Sequence, residues 1–149
     1  MNVFSVSKTV DAPLPFVYAW CTDFAAVQEK VPAATRRVVQ SNRDRVVYIE
    51  LYSGRGGQQR VGVDIITLDP PTSWRMEYLG EDNDEIGEYR LKAMGKGRTR
   101  IRMRFRNRWK GDLSLSTEEK RRIESETWDK YIAVLEKDFS LGRMPRDPR

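Results

Sequence analysis

The sequence predicts an α+β fold in which a seven-stranded antiparallel sheet packs against a long C-terminal helix. Apolar and polar residues alternate in a run at residues 3–10 and in six more runs between residues 35 and 109, which is the period of β-strands. Turn residues separate these runs, whereas the residues from Ile123 to Phe139 carry the apolar repeat of an amphipathic helix. The 149 residues suit one domain, which we assign to residues 1–140, followed by a flexible tail at residues 141–149.

Composition narrows the class of protein. Hydrophobic residues make up 39% and charged residues 33% of the chain, which is too apolar for a disordered protein and too charged for a membrane protein. The first residues carry neither a basic nor an apolar segment, so we expect no secretion signal. The single cysteine, Cys21, fits a reducing cytoplasm, where we expect the protein to work. Because the chain has no histidine and no metal-ligand cluster, we expect no metal ion, no cofactor and no histidine base.

The first elements are predicted to be a strand and two short helices. After the strand at residues 3–10, Asp11 begins a helix, because its carboxylate can accept hydrogen bonds from N–H groups of the first turn. Pro13 is tolerated there, since the first turn does not need its missing N–H group. A second helix, over residues 25–30, is expected to end before Pro32. The first helix has one apolar face, formed by Phe16, Val17, Trp20 and Cys21.

Short strands separated by turn residues then predict an antiparallel meander. The six runs cover residues 35–41, 45–53, 58–68, 73–80, 85–94 and 98–109. In the last run six arginines alternate with uncharged residues; we call Arg98, Arg100, Arg102, Arg104, Arg106 and Arg108 the arginine row. Burying six unpaired charges would be costly, so we expect the arginine row to face solvent and the alternating residues to face the core.

A three-residue loop, Gly95 to Gly97, fixes the register of the last hairpin. It pairs Lys92 with Arg100, Arg90 with Arg102 and Glu88 with Arg104. The inward residues of the preceding strand are then Tyr89, Leu91 and Ala93. The same alternation, carried back one hairpin, turns three more side chains inward, namely Trp74, Met76 and Tyr78.

The C-terminal helix has a clear start. Ser116 and Glu119 have the spacing of a capping box, in which the serine side chain and the glutamate side chain each bond to the other's backbone N–H group. Apolar residues then recur every three or four positions and predict one buried face, formed by Ile123, Trp128, Tyr131, Ile132, Leu135 and Phe139.

Several short motifs, in this order, resemble the SRPBCC superfamily of START-related lipid-binding, birch-pollen-allergen-like and polyketide cyclase/dehydrase-like proteins. The motifs are Asp11-Ala12-Pro13, Val17-Tyr18-Ala19-Trp20, Thr22-Asp23-Phe24, Leu68-Asp69-Pro70-Pro71, Trp74-Arg75-Met76-Glu77-Tyr78, Gly87-Glu88-Tyr89-Arg90-Leu91 and Gly97-Arg98-Thr99-Arg100-Ile101. The resemblance covers nearly the whole chain and implies the helix-grip fold. It also implies a ligand such as a lipid, a polyketide or a similar metabolite, and it marks no catalytic residue.

An apolar cavity is expected between the sheet and the C-terminal helix, because one helix cannot fill the concave face of a curled sheet. Such cavities are the usual sites for small molecules. The predicted walls are Trp74, Met76, Tyr78, Tyr89, Leu91, Met103, Phe105 and Trp109 from the sheet, and Trp128, Tyr131 and Leu135 from the helix. The alternative is that these side chains pack together as a solid core.

Whether the chain has a catalytic carboxylate depends on the direction in which Glu50 and Asp64 point. If the aliphatic neighbours of Glu50 face the core, Glu50 is a surface carboxylate, which is the interpretation we favour. If Tyr48 and Tyr52 face the core instead, Glu50 is a candidate base inside the cavity. Asp64 is expected to face outward, because it alternates with Val61, Val63 and Ile65.

The charge is concentrated in one hairpin. The net charge is +5, but residues 89–111 contain ten lysines and arginines and no acidic residue, so the rest of the chain has a charge of 5 − 10 = −5. The arginine row is either a solvated surface or a site for an anionic partner. We favour the solvated surface and do not expect nucleic acid, because no aromatic residue is predicted to face outward between the arginines. Contact with an acidic membrane stays open.

Four functions follow from these patterns. The first is a binding module for a hydrophobic or aromatic small molecule, and the second is a cyclase- or dehydratase-like enzyme that uses the same cavity. The third is a co-chaperone-like interaction domain, which an exposed apolar patch and a filled interior would favour. The fourth is anion binding through the arginine row.

Overall fold

The computed structural model describes residues 1–24, 35–54, 56–112 and 114–145. Within these residues the chain forms seven strands and two helices. The strands are β1 (Asn2–Val10), β2 (Thr35–Ser41), β3 (Arg45–Ser53), β4 (Gln59–Asp69), β5 (Ser73–Gly80), β6 (Asn83–Gly95) and β7 (Arg98–Trp109), and the helices are α1 (Leu14–Thr22) and α2 (Thr117–Ser140). The predicted short helix at 25–30 lies outside the described residues.

All seven strands form one antiparallel sheet with the order β1-β7-β6-β5-β4-β3-β2. Strands β2 to β7 follow one another as a meander, and β1 lies beside β7, so the first and last strands of the chain are neighbours. The predicted α+β fold class is confirmed. No helix within the described residues is both long enough and apolar enough to cross a membrane.

The β6–β7 hairpin has the predicted register, with Glu88 opposite Arg104, Arg90 opposite Arg102, and Lys92 opposite Arg100. The loop needs its glycines, because φ is 77° at Gly95 and 69° at Gly97, a region that favours residues without a Cβ atom. The arginine row faces away from the core, as predicted, while the alternating residues from Thr99 to Asn107 are buried. Ala93 lies opposite the buried Thr99 and thus on the predicted inner face, but near the end of β6 its side chain is exposed.

Helix α1 begins differently from the prediction. The N-cap position is Pro13, and no side chain of the described residues caps this end of the helix. Asp11 instead accepts a hydrogen bond from Nε of Arg98 at 2.9 Å, and its backbone N–H donates to Glu136 at 2.7 Å. Its carboxylate is therefore engaged by β7. The predicted apolar face is confirmed as buried at Phe16, Val17, Trp20 and Cys21.

Helix α2 has the predicted capping box. The Glu119 N–H donates to Oγ of Ser116 at 3.1 Å, and the Ser116 N–H donates to the Glu119 carboxylate at 2.8 Å. The middle of the predicted apolar face is buried, at Trp128, Ile132 and Leu135. Two end residues of that face were expected to be buried but are exposed, Ile123 at 37% and Phe139 at 39%.

Helix α2 lies against the β1 side of the sheet. Four polar contacts join β1 and the position after it to the helix. They are Asn2 to Thr117 at 3.1 Å, Lys8 to Ser125 at 2.7 Å, Lys8 to Asp129 at 2.6 Å and Asp11 to Glu136 at 2.7 Å. Beneath the helix the core is closely packed, and the rings of Phe4 and Phe105 stack with centroids 5.1 Å apart. The helix therefore covers one half of the concave face and leaves space over the other half.

Candidate functional site

A cavity of about 340 Å³ lies between the sheet and α2. Pockets for small molecules usually have volumes of roughly 300–1,000 Å³, so this one is at the lower end of that range. The described residues that line it come from α1, from Phe24 shortly after it, from β2 to β6 and the β5–β6 turn, and from α2. None of them belongs to β1 or β7. The cavity thus lies over the β2–β6 part of the sheet, beside the core that α2 covers, and one side of α2 forms part of its wall.

One side of the cavity is a continuous aromatic wall. The rings of Trp74 and Tyr89 are stacked, with centroids 4.9 Å apart and planes 8° apart. The Tyr89 ring contacts Trp128 at 5.8 Å, and Trp128 contacts Tyr131 at 5.4 Å. Such a wall offers flat apolar surface at a low entropic cost, because aromatic side chains have few rotatable bonds.

The structure separates the predicted wall residues into two groups. Six of them line the cavity, and these are Trp74, Met76, Tyr78, Tyr89, Trp128 and Tyr131. The other five do not line it, and these are Leu91, Met103, Phe105, Trp109 and Leu135. Four of those five are buried in the core between the sheet and the helices, whereas Trp109 is half-buried and donates to Asn2 at 2.8 Å. Contact of any of these residues with a ligand stays a prediction.

Tyr78 depends on two glycines that face each other on β4 and β5. A Cβ atom added at Gly62 or at Gly80 would lie 2.3 Å from the Tyr78 side chain, which is far closer than real Cβ contacts allow. The Tyr78 ring therefore lies flat across the backbone of both glycines. Burial, and then the neighbouring Tyr52, raise the pKa of Tyr78 far above its usual value, so its phenol keeps its proton.

Glu50 lines the cavity, and the favoured interpretation of it as a surface carboxylate is wrong. Tyr48 is 2% exposed and faces inward, so Glu50, two positions along β3, faces inward as well. Arg36 of β2, directly opposite, brings Nη2 within 3.7 Å of the Glu50 carboxylate. The aliphatic residues that misled the prediction form the outer face of β3 at Val47, Ile49 and Leu51.

Asp64 also faces inward, which contradicts the prediction that it faces solvent. It is 2% exposed and lies directly opposite Tyr48, while Val61 on the outer face is 44% exposed. Its Oδ2 atom is buried without a hydrogen-bond partner among the described residues. Burial, and then the neighbouring Glu50 carboxyl, raise the pKa of Asp64 to about 8, against the opposing effects of Arg36 and Tyr48.

A second charged group lines the cavity where β6 meets α2. Nζ of Lys120 lies 3.0 Å from Glu85 and 3.2 Å from Glu124. Burial raises the pKa of Glu85 to about 7, although the Lys120 charge opposes the shift. Lys120, Glu85 and Glu124 therefore form ion pairs with one another, whereas Asp64 has no ion pair with a described residue. No group of three or more His, Cys, Asp or Glu side chains among the described residues could hold a metal ion.

Many residues that line the cavity were not predicted to do so. Beyond Glu50, whose direction was open, they are Trp20, Cys21, Phe24, Arg36, Tyr48, Tyr52, Asp64, Ile66, Asp82, Asn83, Glu85, Lys120, Glu124 and Thr127. One signal could have found some of them. Tyr48, Glu50 and Tyr52 share a face by alternation, and buried tyrosines commonly accompany a polar site.

Comparison with solved structures identifies the fold. The crystal structure of Ara h 8.0201 has a TM-score of 0.73 at 16% identity, covering 93% of this chain and 98% of that one. A START superfamily protein from Mycobacterium smegmatis has a TM-score of 0.68 at 14% identity, covering 92% and 96%. The Zhui aromatase/cyclase from Streptomyces sp. R1128 has a TM-score of 0.66 at 18% identity, covering 92% of each chain. These matches confirm the predicted helix-grip fold.

No family model matches the sequence, and the search of curated proteins returned no match.

Proposed function

We propose that this protein binds a hydrophobic or aromatic small molecule in the cavity between the sheet and α2. The observation that carries the proposal is the aromatic wall from Trp74 to Tyr131, which faces a space of about 340 Å³. The polar residues at the β3–β4 side would orient a polar group of the ligand. A cavity at the lower end of the usual size range favours a compact, ring-containing ligand over a long lipid chain.

A second candidate is a cyclase- or dehydratase-like enzyme. It is favoured by the position of Glu50, which lines the cavity instead of facing solvent. A carboxylate beside a bound substrate can move protons. The presence of a cavity argues against the co-chaperone-like alternative, which we expected of a chain with a filled interior.

We also infer that the arginine row is a solvated surface without a binding partner, and that the protein works in a reducing cytoplasm. The arginines point away from the cavity on the outer face of the sheet, with uncharged side chains of β1 such as Ser5 and Ser7 beside them. Cys21 is the single cysteine of the chain and is buried.

Binding can be tested by titration with N-phenylnaphthylamine, a neutral aromatic probe whose fluorescence rises in apolar surroundings. We expect saturable binding to the wild-type protein. Met76→Trp should fill the cavity and weaken binding at least about tenfold, which corresponds to about 1.4 kcal/mol. Leu79→Trp is the matched control, because Leu79 is on the same strand but is 51% exposed on the outer face. Unsaturable binding, or equal binding by the Met76→Trp variant, would contradict the proposal.

A further inference from the structure

Two carboxyl groups lie together at the polar side of the cavity. Tyr48 is opposite Asp64 and Glu50 is opposite Gly62, so Glu50 and Asp64 are diagonal neighbours on the inner face of β3 and β4. Both line the cavity. Two neighbouring carboxylates repel each other, and burial makes it costly for both to be ionised.

The surroundings of the two carboxyl groups differ. Glu50 has a cationic partner, because Nη2 of Arg36 lies 3.7 Å from its carboxylate. Asp64 forms no ion pair with a described residue, and its buried Oδ2 has no hydrogen-bond donor. A proton on Asp64 removes this deficit, because a carboxylic acid can donate to the adjacent Glu50 carboxylate. The pair therefore holds one proton, with Asp64 as the acid and Glu50 as the base.

Hydrogen-bond donors surround this pair. The titratable and charged groups that act on Asp64 are Glu50 and Tyr48 of β3 and Arg36 of β2, and Tyr78 of β5 and Tyr131 of α2 also line this side. Burial raises the pKa of Tyr48, Tyr78 and Tyr131, so these phenols stay protonated at neutral pH. An array of O–H donors around one carboxylate base suits a substrate oxygen that gains negative charge while a nearby carbon loses a proton.

We propose that Glu50 and Asp64 act as an acid–base pair that interconverts the keto and enol forms of a hydrophobic carbonyl compound held in the cavity. The proposal rests on the binding function proposed above. The Glu50 carboxylate takes a proton from the carbon next to the carbonyl, and the electrons of that C–H bond form a C=C bond. The π electrons of the C=O bond move to the oxygen, which takes the proton from Asp64. While the enol is bound, the proton on Glu50 exchanges with solvent, and the reverse transfers then restore both groups, so no oxidant, reductant or cofactor is needed.

The activity can be measured as hydrogen exchange. The probe is β-tetralone, a bicyclic ketone with acidic C–H groups, dissolved in D₂O, and the loss of its proton NMR signals next to the carbonyl gives the rate. We expect the wild-type protein to accelerate exchange, and the isosteric variants Glu50→Gln and Asp64→Asn to slow it by about a hundredfold or more. Glu77→Gln, on the outer face of β5 beside Arg75, should match the wild type.

The pH dependence separates a chemical role from a structural one. The exchange rate of the wild-type protein should fall as the pH rises through about 8, because Asp64 then loses the proton that it donates. A rate that keeps rising through this range, as in catalysis by hydroxide, would overturn the assignment of Asp64 as the acid.

Binding is measured separately by displacement of N-phenylnaphthylamine with β-tetralone. Binding without accelerated exchange would overturn the acid–base proposal and leave the binding function standing. Exchange that is accelerated equally by the wild-type protein and by both carboxyl variants would also overturn it. Absence of binding of both the probe and β-tetralone would overturn the binding function and this inference together.

Discussion

Single glycines determine the shape of the cavity wall at Tyr78. Gly62 and Gly80 leave room for the Tyr78 ring, and Gly87 has a similar relation to Tyr89, whose side chain would lie 2.8 Å from an added Cβ atom. Glycine in a strand lowers stability through its entropy. At these three positions we infer that packing of a tyrosine ring against the glycine backbone outweighs this cost.

Gly62→Ala should therefore destabilise the protein by about 1–3 kcal/mol, because the Tyr78 ring must move. In a Tyr78→Ala background the same substitution should have a cost close to zero, since the steric conflict is gone. Urea unfolding of the wild type, both single variants and the double variant measures the coupling. Equal effects of Gly62→Ala in both backgrounds would show that the ring is not held against Gly62.

Asp64 should make the stability of the protein dependent on pH. The folded chain keeps the Asp64 proton up to about pH 8, whereas an unfolded chain loses it near the ordinary value of 3.8. Between these limits the folded state binds more protons, so wild-type stability falls as the pH rises, and the dependence ends above the folded pKa. The Asp64→Asn variant lacks this penalty.

The stability of Asp64→Asn relative to the wild type should thus rise with pH between about 4 and 8, by up to about 1.4 kcal/mol per pH unit. Urea unfolding of both proteins at several pH values gives the difference, and it cancels the contribution of Glu85, whose pKa is also raised. A difference that does not change with pH would show that Asp64 is ionised in the folded protein.

The inward direction of Asp64 and Glu50 could not be predicted from alternation, for a physical reason. The outer faces of β3 and β4 carry aliphatic side chains as well, and some of these, such as Val61 at 44%, are well exposed. Hydrophobic periodicity assigns the more apolar face to the core, and here the inner face is the more polar one because it forms the polar side of a cavity.

Among the elements, the β6–β7 hairpin brings like charges together. Arg90 lies opposite Arg102 and Lys92 lies opposite Arg100, and none of these four forms an ion pair with a described residue. The flanking positions of β1 opposite the arginines of β7 are uncharged. Like charges directly across a strand pair destabilise a sheet.

Arg102→Glu should accordingly stabilise the protein at low ionic strength by about 0.5 kcal/mol, because it places opposite charges across from each other at Arg90. The gain should largely vanish at 1 M salt, where the Debye length is about 3 Å. Thermal unfolding at the two salt concentrations measures it, with Arg106→Glu as the control because Arg106 lies opposite Ile86. An equal gain in both variants would indicate a general effect of net charge.

Secondary-structure elements were predicted correctly where two independent sequence patterns agreed. The hairpin register followed from the Gly95–Gly97 loop together with strict alternation of charge, and α2 followed from its capping box together with its apolar repeat. The cap of α1 rested on one signal, Asp11, and that carboxylate contacts Arg98 of β7 instead. A distant partner of this kind cannot be read from local sequence.

The position of α2 determines which half of the molecule is filled. Contacts between β1 and α2 hold the helix over the β1–β7 side, so Met103 and Phe105 become core, while Trp74 and Tyr78 line the cavity. These residues all face inward and have similar side chains. Alternation predicts the inward direction, but the distinction between core and cavity depends on long-range contacts of the helix.

The most direct test of the binding function is native mass spectrometry of the freshly purified protein, followed by organic extraction of whatever dissociates. We expect a second mass, heavier by one small hydrophobic molecule, for the wild-type protein and for Leu79→Trp, and its loss in Met76→Trp. A wild-type protein that shows one unliganded mass, and that still shows it after incubation with the lipid and aromatic extract of its host cells, would contradict the proposed binding function.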